Sequence, residues 1–130
     1  MNLEHTFAVS PAYHSSLSMC EDPLTRLHTL IPRSTTLFFV TDDTCAGLFG
    51  DHLARTMTDL GRPFRLYQFG EGEQDKQLET VHAIARFVLD HGGEPDDMIV
   101  GFGGGVTTDL AGFAASLLKR GGLWAALPTT

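Results

Sequence analysis

Hydrophobic positions along this chain switch repeatedly between the two-residue period of a strand and the 3.6-residue period of a helix. Leu24, Leu27, Leu30 and Ile31 recur at helical spacing, and Pro32 closes that segment. Thr35–Thr41 is rich in β-branched and aromatic residues and predicts a strand. A helical pattern runs from Ala46 to Leu60 through Leu48, Phe49, Leu53 and Met57, with Gly61 to stop it and Pro63 just beyond. Phe64, Leu66, Tyr67 and Phe69 predict a second strand, and Gly70–Lys76 a polar loop. Leu78, Val81, Ala85, Val88 and Leu89 form the apolar stripe of an amphipathic helix, with Glu79, Arg86 and Asp90 opposite. Gly92 and Gly93 end it, and Pro95 prevents its continuation. Met98–Val100 with Phe102 reads as a buried strand. Val106–Arg120 then reads as a helix with Leu110, Phe113, Ala114, Leu117 and Leu118 on one face, and Leu123–Leu127 as a last strand.

Strands and helices thus alternate, which predicts an α/β fold: a Rossmann-like parallel sheet with helices on both faces. Residues 1 to 20 carry the weakest pattern. Phe7–Val9 suggests a short strand ended by Ser10-Pro11, and Ser15, Ser16 and Ser18 suggest loop or cap positions. Phe38, Phe39, Phe64, Phe69, Phe113 and Trp124 are expected in the core. His28 and His52 are expected to face solvent, and His82 to sit at the edge of its helix's apolar stripe.

In parallel sheets of this kind ligands bind beyond the carboxyl ends of the strands. Asp42 to Thr44, Gly70 to Lys76, Gly103 to Asp109, and Thr129 with Thr130 all fall at such ends and should converge on one cleft. The glycine segment is the most telling. Gly103, Gly104 and Gly105 join a strand to a helix, where backbone N–H groups and the positive helix end favour an anion such as a pyrophosphate. The segment is not the dinucleotide fingerprint, because Val106 stands where a third glycine belongs and no acid follows Asp109. A Walker loop is excluded too, since no Lys-Ser/Thr pair follows the glycines. A tight turn with nothing bound is the plainer alternative.

Composition narrows the picture. The chain has 130 residues, 42% of them hydrophobic, which suits one globular domain with a modest core. A net charge of −7 without a basic block argues against nucleic acid as a partner. No apolar run approaches the roughly 20 residues of a membrane span, and no secretory signal is visible, so the cytoplasm is the expected location. The two cysteines make no disulfide framework, and the six histidines form no ligand-spaced pair, so no metal site is assigned to these residues.

Four pieces, taken together, resemble the N-terminal NAD-binding domain of the 3-dehydroquinate synthases, within the sugar phosphate cyclase superfamily. They are Thr41-Asp42, Gly72–Thr80, Gly103–Ala115 with Lys119-Arg120-Gly121, and Leu127–Thr130. The resemblance implies NAD as a transient oxidant and a small phosphorylated sugar acid as substrate. The substrate, 3-deoxy-D-arabino-heptulosonate 7-phosphate, becomes 3-dehydroquinate and phosphate in the shikimate pathway. Carried over by position, Asp42 and Thr44 resemble adenosine-side contacts, and Glu73 and Lys76 a second NAD-binding segment. Gly104, Gly105 and Val106 would lie against the pyrophosphate, Asp109 would be a ribose or nicotinamide-side ligand, and Thr129 and Thr130 would be NAD contacts. Arg120 resembles a substrate contact. The family's divalent metal, zinc or cobalt, is held by Glu and His of a helical C-terminal domain that the resemblance places beyond Thr130. The chain is therefore read over 1–130 as an N-terminal half, truncated before the metal-binding domain and inactive alone, with a homodimer left open for the complete enzyme.

Thr108 departs from the pattern, because many dehydroquinate synthases have glycine there. Threonine at that position also occurs in the sedoheptulose 7-phosphate cyclases, which stand as the alternative. A non-catalytic nucleotide-binding module is a further one. Each site residue also has a plain reading: Asp42, Asp43 or Thr44 as caps of the next helix, Thr107 or Thr108 as an N-cap, Asp109 as an acid in a first helical turn, Arg120 at a helix C-terminus, and Glu73 and Lys76 as solvated residues.

Overall fold

The computed structural model describes residues 3–10, 13–70, 78–119 and 123–129. Strands β1 (Leu3–Ser10) and β2 (Tyr13–Met19) lead to α1 (Pro23–Leu30), followed by β3 (Leu37–Asp42), α2 (Asp43–Asp59) and β4 (Phe64–Phe69). Helix α3 (Leu78–Asp90), β5 (Met98–Gly103), α4 (Gly105–Lys119) and β6 (Trp124–Pro128) complete the order. Strands β3 to β6 form one sheet, in the order β4-β3-β5-β6, and every neighbouring pair in it is parallel.

Each face of that sheet has its own core, and the alternation of side chains along the strands decides who belongs to which. Phe38, Val40 and Ile99 point to one side, where Val81, Ile84 and Val88 of α3 and Leu110, Ala111 and Ala114 of α4 cover them. Leu37, Phe39, Met98, Val100 and Phe102 point to the other, under Leu24 and Leu27 of α1 and Leu53 and Met57 of α2. The inner strands β3 and β5 are therefore buried almost throughout, as their unbroken apolar runs require. The helices on both faces and the parallel sheet are as the alternating pattern predicts.

Several expectations need correcting. Ser15, Ser16 and Ser18 lie inside β2, which pairs antiparallel with β1. The serines of this two-stranded ribbon give no alternating signal to read. Phe113 and Trp124 are 50% and 45% exposed, because β6 is an edge strand and α4 covers it from one side only. Leu78 and Leu89 are exposed at the ends of α3, and Ile84 takes the centre of its stripe. His28 is buried rather than solvent-facing. Its Nδ1 accepts a hydrogen bond from Arg62 Nε at 3.1 Å.

Arg62 closes the end of the sheet opposite the strands' carboxyl ends. Besides His28 Nδ1, its guanidinium donates to the carbonyls of His28, Ile31, Pro32 and Thr35, so all five N–H donors are used. Every acceptor is neutral, and α1 ends among them, so its carbonyl dipoles face the cation. Burial, with Arg62 and Arg33 nearby, pushes the His28 imidazole below its usual range. At the same end Asp97 accepts from the N–H groups of Thr36 and Glu94, both at 2.8 Å. These groups stitch loops together far from the glycine turn.

Candidate functional site

The chain runs from β3 to β4 on one side and then crosses back to β5 on the other, so the strand order reverses between β3 and β5. That reversal separates α2 from α4 and opens a crevice at the carboxyl ends of the two strands. Asp42 ends β3 on one side of it, and Gly103 ends β5 on the other. Thr107, in the first turn of α4, donates its hydroxyl to Asp42 Oδ2 at 3.4 Å, across the reversal. Thr129, just past β6, donates its backbone N–H to the carbonyl of Gly103 at 2.9 Å. Its hydroxyl also lies 3.5 Å from Cys45 Sγ in α2. The ends of β3, β5 and β6 are thus tied into one rim.

Two helix N-termini meet this rim, and they differ electrostatically. Asp42 is the N-cap of α2, accepting the Cys45 N–H at 2.7 Å, and Asp43 adds a second carboxylate in that first turn. The positive end of α2 is therefore answered by its own side chains. Asp43 is itself held by Gln68 Nε2 at 2.7 Å, which draws the end of β4 to the rim. Helix α4 has no acid in its first turn. Its first N–H groups have no partner within the helix, as in any α-helix. A Cβ built on Gly105 would meet no atom within 4 Å, so the turn opens outward. Of the two, α4 is the terminus that can receive an anion.

Glycine is required here for close approach. A Cβ on Gly101 would come within 2.9 Å of Ala111 Cβ and 3.1 Å of Thr108 Cα, so this glycine lets α4 lie directly on β5. A Cβ on Gly103 would sit 2.8 Å from Thr107 Oγ1. Both positions seat the start of α4 tightly over the end of β5. The glycines before the helix therefore divide their work, with Gly101 and Gly103 packing inward and Gly105 facing outward.

Of the residues singled out from sequence, Asp42, Gly104, Gly105, Val106 and Thr129 are brought to this rim. The Val106 side chain is partly buried against the α3–α4 core. Thr44 lies exposed in the first turn of α2. Asp109 is exposed on α4 but beyond the first turn, which removes the dipole reading for it. Helix α4 starts at Gly105, so neither Thr107 nor Thr108 is its N-cap, and Thr108 Oγ1 instead bonds the Gly105 carbonyl at 3.1 Å. Glu73, Lys76, Arg120 and Thr130 lie outside the described residues. Sequence reasoning gave Cys45 no part in the rim and gave Thr107, inside the Gly103 to Asp109 segment, no contact across it. Their partners are 65 and 84 residues distant, and only the topology reveals them. Among the described residues no group of three His, Cys, Asp or Glu side chains could hold a metal ion. None of their helices is long and apolar enough to cross a membrane.

A parallel sheet with a glycine-lined helix N-terminus at its strand-order reversal defines an α/β domain of the Rossmann-like class, in which ligands sit beyond the strand ends. Comparison with known proteins makes the assignment finer. Residues 66–130 match the family described as 3-dehydroquinate synthase N-terminal, and the chain belongs to that family. It is 36% identical over 119 residues to a 2-deoxy-scyllo-inosose synthase of Streptomyces ribosidificus, covering 92% of this chain and 30% of the relative. With a 3-dehydroquinate synthase of Streptococcus pneumoniae it shares 38% over 91 residues, covering 70% of this chain and 26% of the relative. A solved 2-epi-5-epi-valiolone synthase from Streptomyces hygroscopicus, with NAD+ and Zn2+ bound, superposes with a TM-score of 0.74 at 30% identity. That match covers 82% of this chain and 30% of the other. A 2-deoxy-scyllo-inosose synthase solved with carbaglucose-6-phosphate, NAD+ and Co2+ has the same fold, with a TM-score of 0.81 over 98% of this chain and 35% of that one. The chain thus spans about a third or less of the length of the relatives it matches.

Proposed function

We propose that this chain is the NAD-holding part of a sugar phosphate cyclase, and that the complete enzyme converts 3-deoxy-D-arabino-heptulosonate 7-phosphate to 3-dehydroquinate and phosphate. The observation that carries the reading is the Thr107–Asp42 contact across the strand-order reversal. It sets an acceptor carboxylate beside a glycine-lined helix end at the one place where such sheets hold dinucleotides. The residues present suit NAD: amides of the Gly104–Val106 turn for the pyrophosphate, and the Asp42 carboxylate with the Thr129 hydroxyl for the hydroxyls of the ribose. Thr44, Glu73, Lys76 and Thr130 complete the cofactor set in this reading, with Asp109 on the ribose or nicotinamide side and Arg120 on the substrate.

Bound there, NAD supplies a reversible hydride acceptor. The protein's part is to bind, orient and shield it. The N-terminus of α4, with no acid in its own first turn, helps balance pyrophosphate charge, and Asp42 accepts from a ribose hydroxyl. The described residues do not offer a metal site, so no step is assigned to a metal within this domain. Zn2+ or Co2+ belongs, in this reading, to a second domain of the complete protein, as does most of the substrate pocket. Domain 1–130 alone should bind cofactor and not turn over. A cytoplasmic location goes with this reading.

A second reading has a specific observation behind it. The 2-deoxy-scyllo-inosose synthase matches 92% of the chain, against 70% for the dehydroquinate synthase. A hexose 6-phosphate is then the substrate class, since a solved 2-deoxy-scyllo-inosose synthase holds carbaglucose-6-phosphate. Phosphate release by the full-length protein from the heptulosonate 7-phosphate and from glucose 6-phosphate, with product analysis, separates the two. Turnover of the first alone is expected, and turnover of the second alone would overturn the dehydroquinate assignment. Thr108 keeps sedoheptulose 7-phosphate in the same assay as a third substrate.

A further inference from the structure

We propose that Thr107 is a positioning residue for the nucleotide: its hydroxyl fixes the Asp42 carboxylate at the crevice between β3 and β5. This rests on the reading of that crevice as the NAD site. Thr107 is 1% exposed, so its side chain does not meet a bound ligand directly. Its hydroxyl donates to Asp42 Oδ2 at 3.4 Å, while the other carboxylate oxygen accepts the Cys45 N–H at 2.7 Å. Asp42 is thereby held at both oxygens by groups from two different helices. An ionised carboxylate has about four acceptor sites, so two remain for hydroxyls of a sugar.

The other side of Thr107 is set against the glycine turn. A Cβ added to Gly103 would meet Thr107 Oγ1, Cβ and Cγ2 at 2.8, 3.0 and 3.2 Å. One side chain therefore links the turn beside the pyrophosphate to the carboxylate beside the ribose. At 3.4 Å the O–H···O bond is long, so its contribution to folding is small. Its effect lies in direction: without it Asp42 Oδ2 can turn away, and a ribose hydroxyl loses its acceptor.

The test uses the full-length protein and measures NAD affinity by calorimetry, together with the melting temperature, for the parent, Thr107→Val and Thr107→Ser. Valine keeps the shape and the methyl contact but drops the hydroxyl; serine keeps the hydroxyl and drops the methyl. Weakening of NAD binding by about three- to tenfold in the valine variant, with serine within about twofold of the parent, is the expected pattern. The reverse pattern, serine weak and valine like the parent, would show a packing role and overturn the proposal. Equal affinity in all three proteins would also overturn it while leaving the NAD reading intact. Failure of the parent itself to bind NAD would remove both.

Discussion

At the scale of single residues, the protein places its charged groups at opposite ends of the sheet for different ends. Arg62 is 3% exposed with every donor satisfied by a neutral acceptor, so its role is to close loops. Arg62→Met should leave His28 Nδ1 and the carbonyls of His28, Ile31 and Thr35 short of a donor and lower stability by about 2–4 kcal/mol, read from urea unfolding, with NAD affinity little changed. Lysine should not rescue it, because three donors on a flexible stem cannot replace a planar fork. His28 adds a pH dependence. Its folded-state pKa lies below the 6.5 of a free imidazole, so the unfolded chain binds the proton more readily. The His28 contribution to stability is present in full above about pH 6.5 and is lost as pH falls from there toward the lowered value. His28→Gln, which keeps an acceptor for Arg62, should flatten the unfolding midpoint between pH 7.5 and 5 relative to the parent. On the opposite rim, Asp109→Ala should weaken NAD binding about tenfold with little change in melting temperature. Calorimetry that finds equal affinity in mutant and parent would remove Asp109 from the site.

Elements were legible in the sequence wherever burial is one-sided or complete. The runs of β3 and β5 and the stripe of α3 announce themselves because core contact dictates each position. Ribbon β1–β2 was partly missed because its described residues are mostly solvated, and Ser15, Ser16 and Ser18 carry no alternation. The apolar pattern of α2 begins only at Ala46, whereas the helix begins at Asp43, because the capping carboxylate of Asp42 extends it back to the strand. His28 and Arg62, and likewise Asp42 and Thr107, are joined by topology over long sequence separations, and no local pattern encodes that. The convergence of the β3, β5 and β6 ends on one rim is readable in the sequence; the cross-links within it are not, and residues 71–76 of the expected rim lie outside the described residues. Gly101 shows how element packing serves the site. Gly101→Ala should press on Ala111 and the Thr108 backbone, lift α4 from β5, and cost about 1–3 kcal/mol. Gly112→Ala meets only the half-exposed Trp124 ring at 3.2 Å, which can swing outward, so its cost should be clearly smaller. Equal denaturation midpoints for the two variants would contradict this account of the helix–sheet contact.

On the scale of the whole molecule, two cores flank one sheet and leave its two ends to do different work. One end is sealed by Arg62 and Asp97; the other carries two helix N-termini, only one of which is neutralised by its own acids. In the proposed function this second end holds NAD. Titrating NAD into the isotopically labelled protein while following backbone amide resonances tests it most directly. Saturable shifts are expected at Asp42–Cys45, Gly103–Thr108 and Thr129, with Thr36, Arg62 and Asp97 unmoved. Shifts centred on the Arg62 end, or none at millimolar NAD, would contradict it.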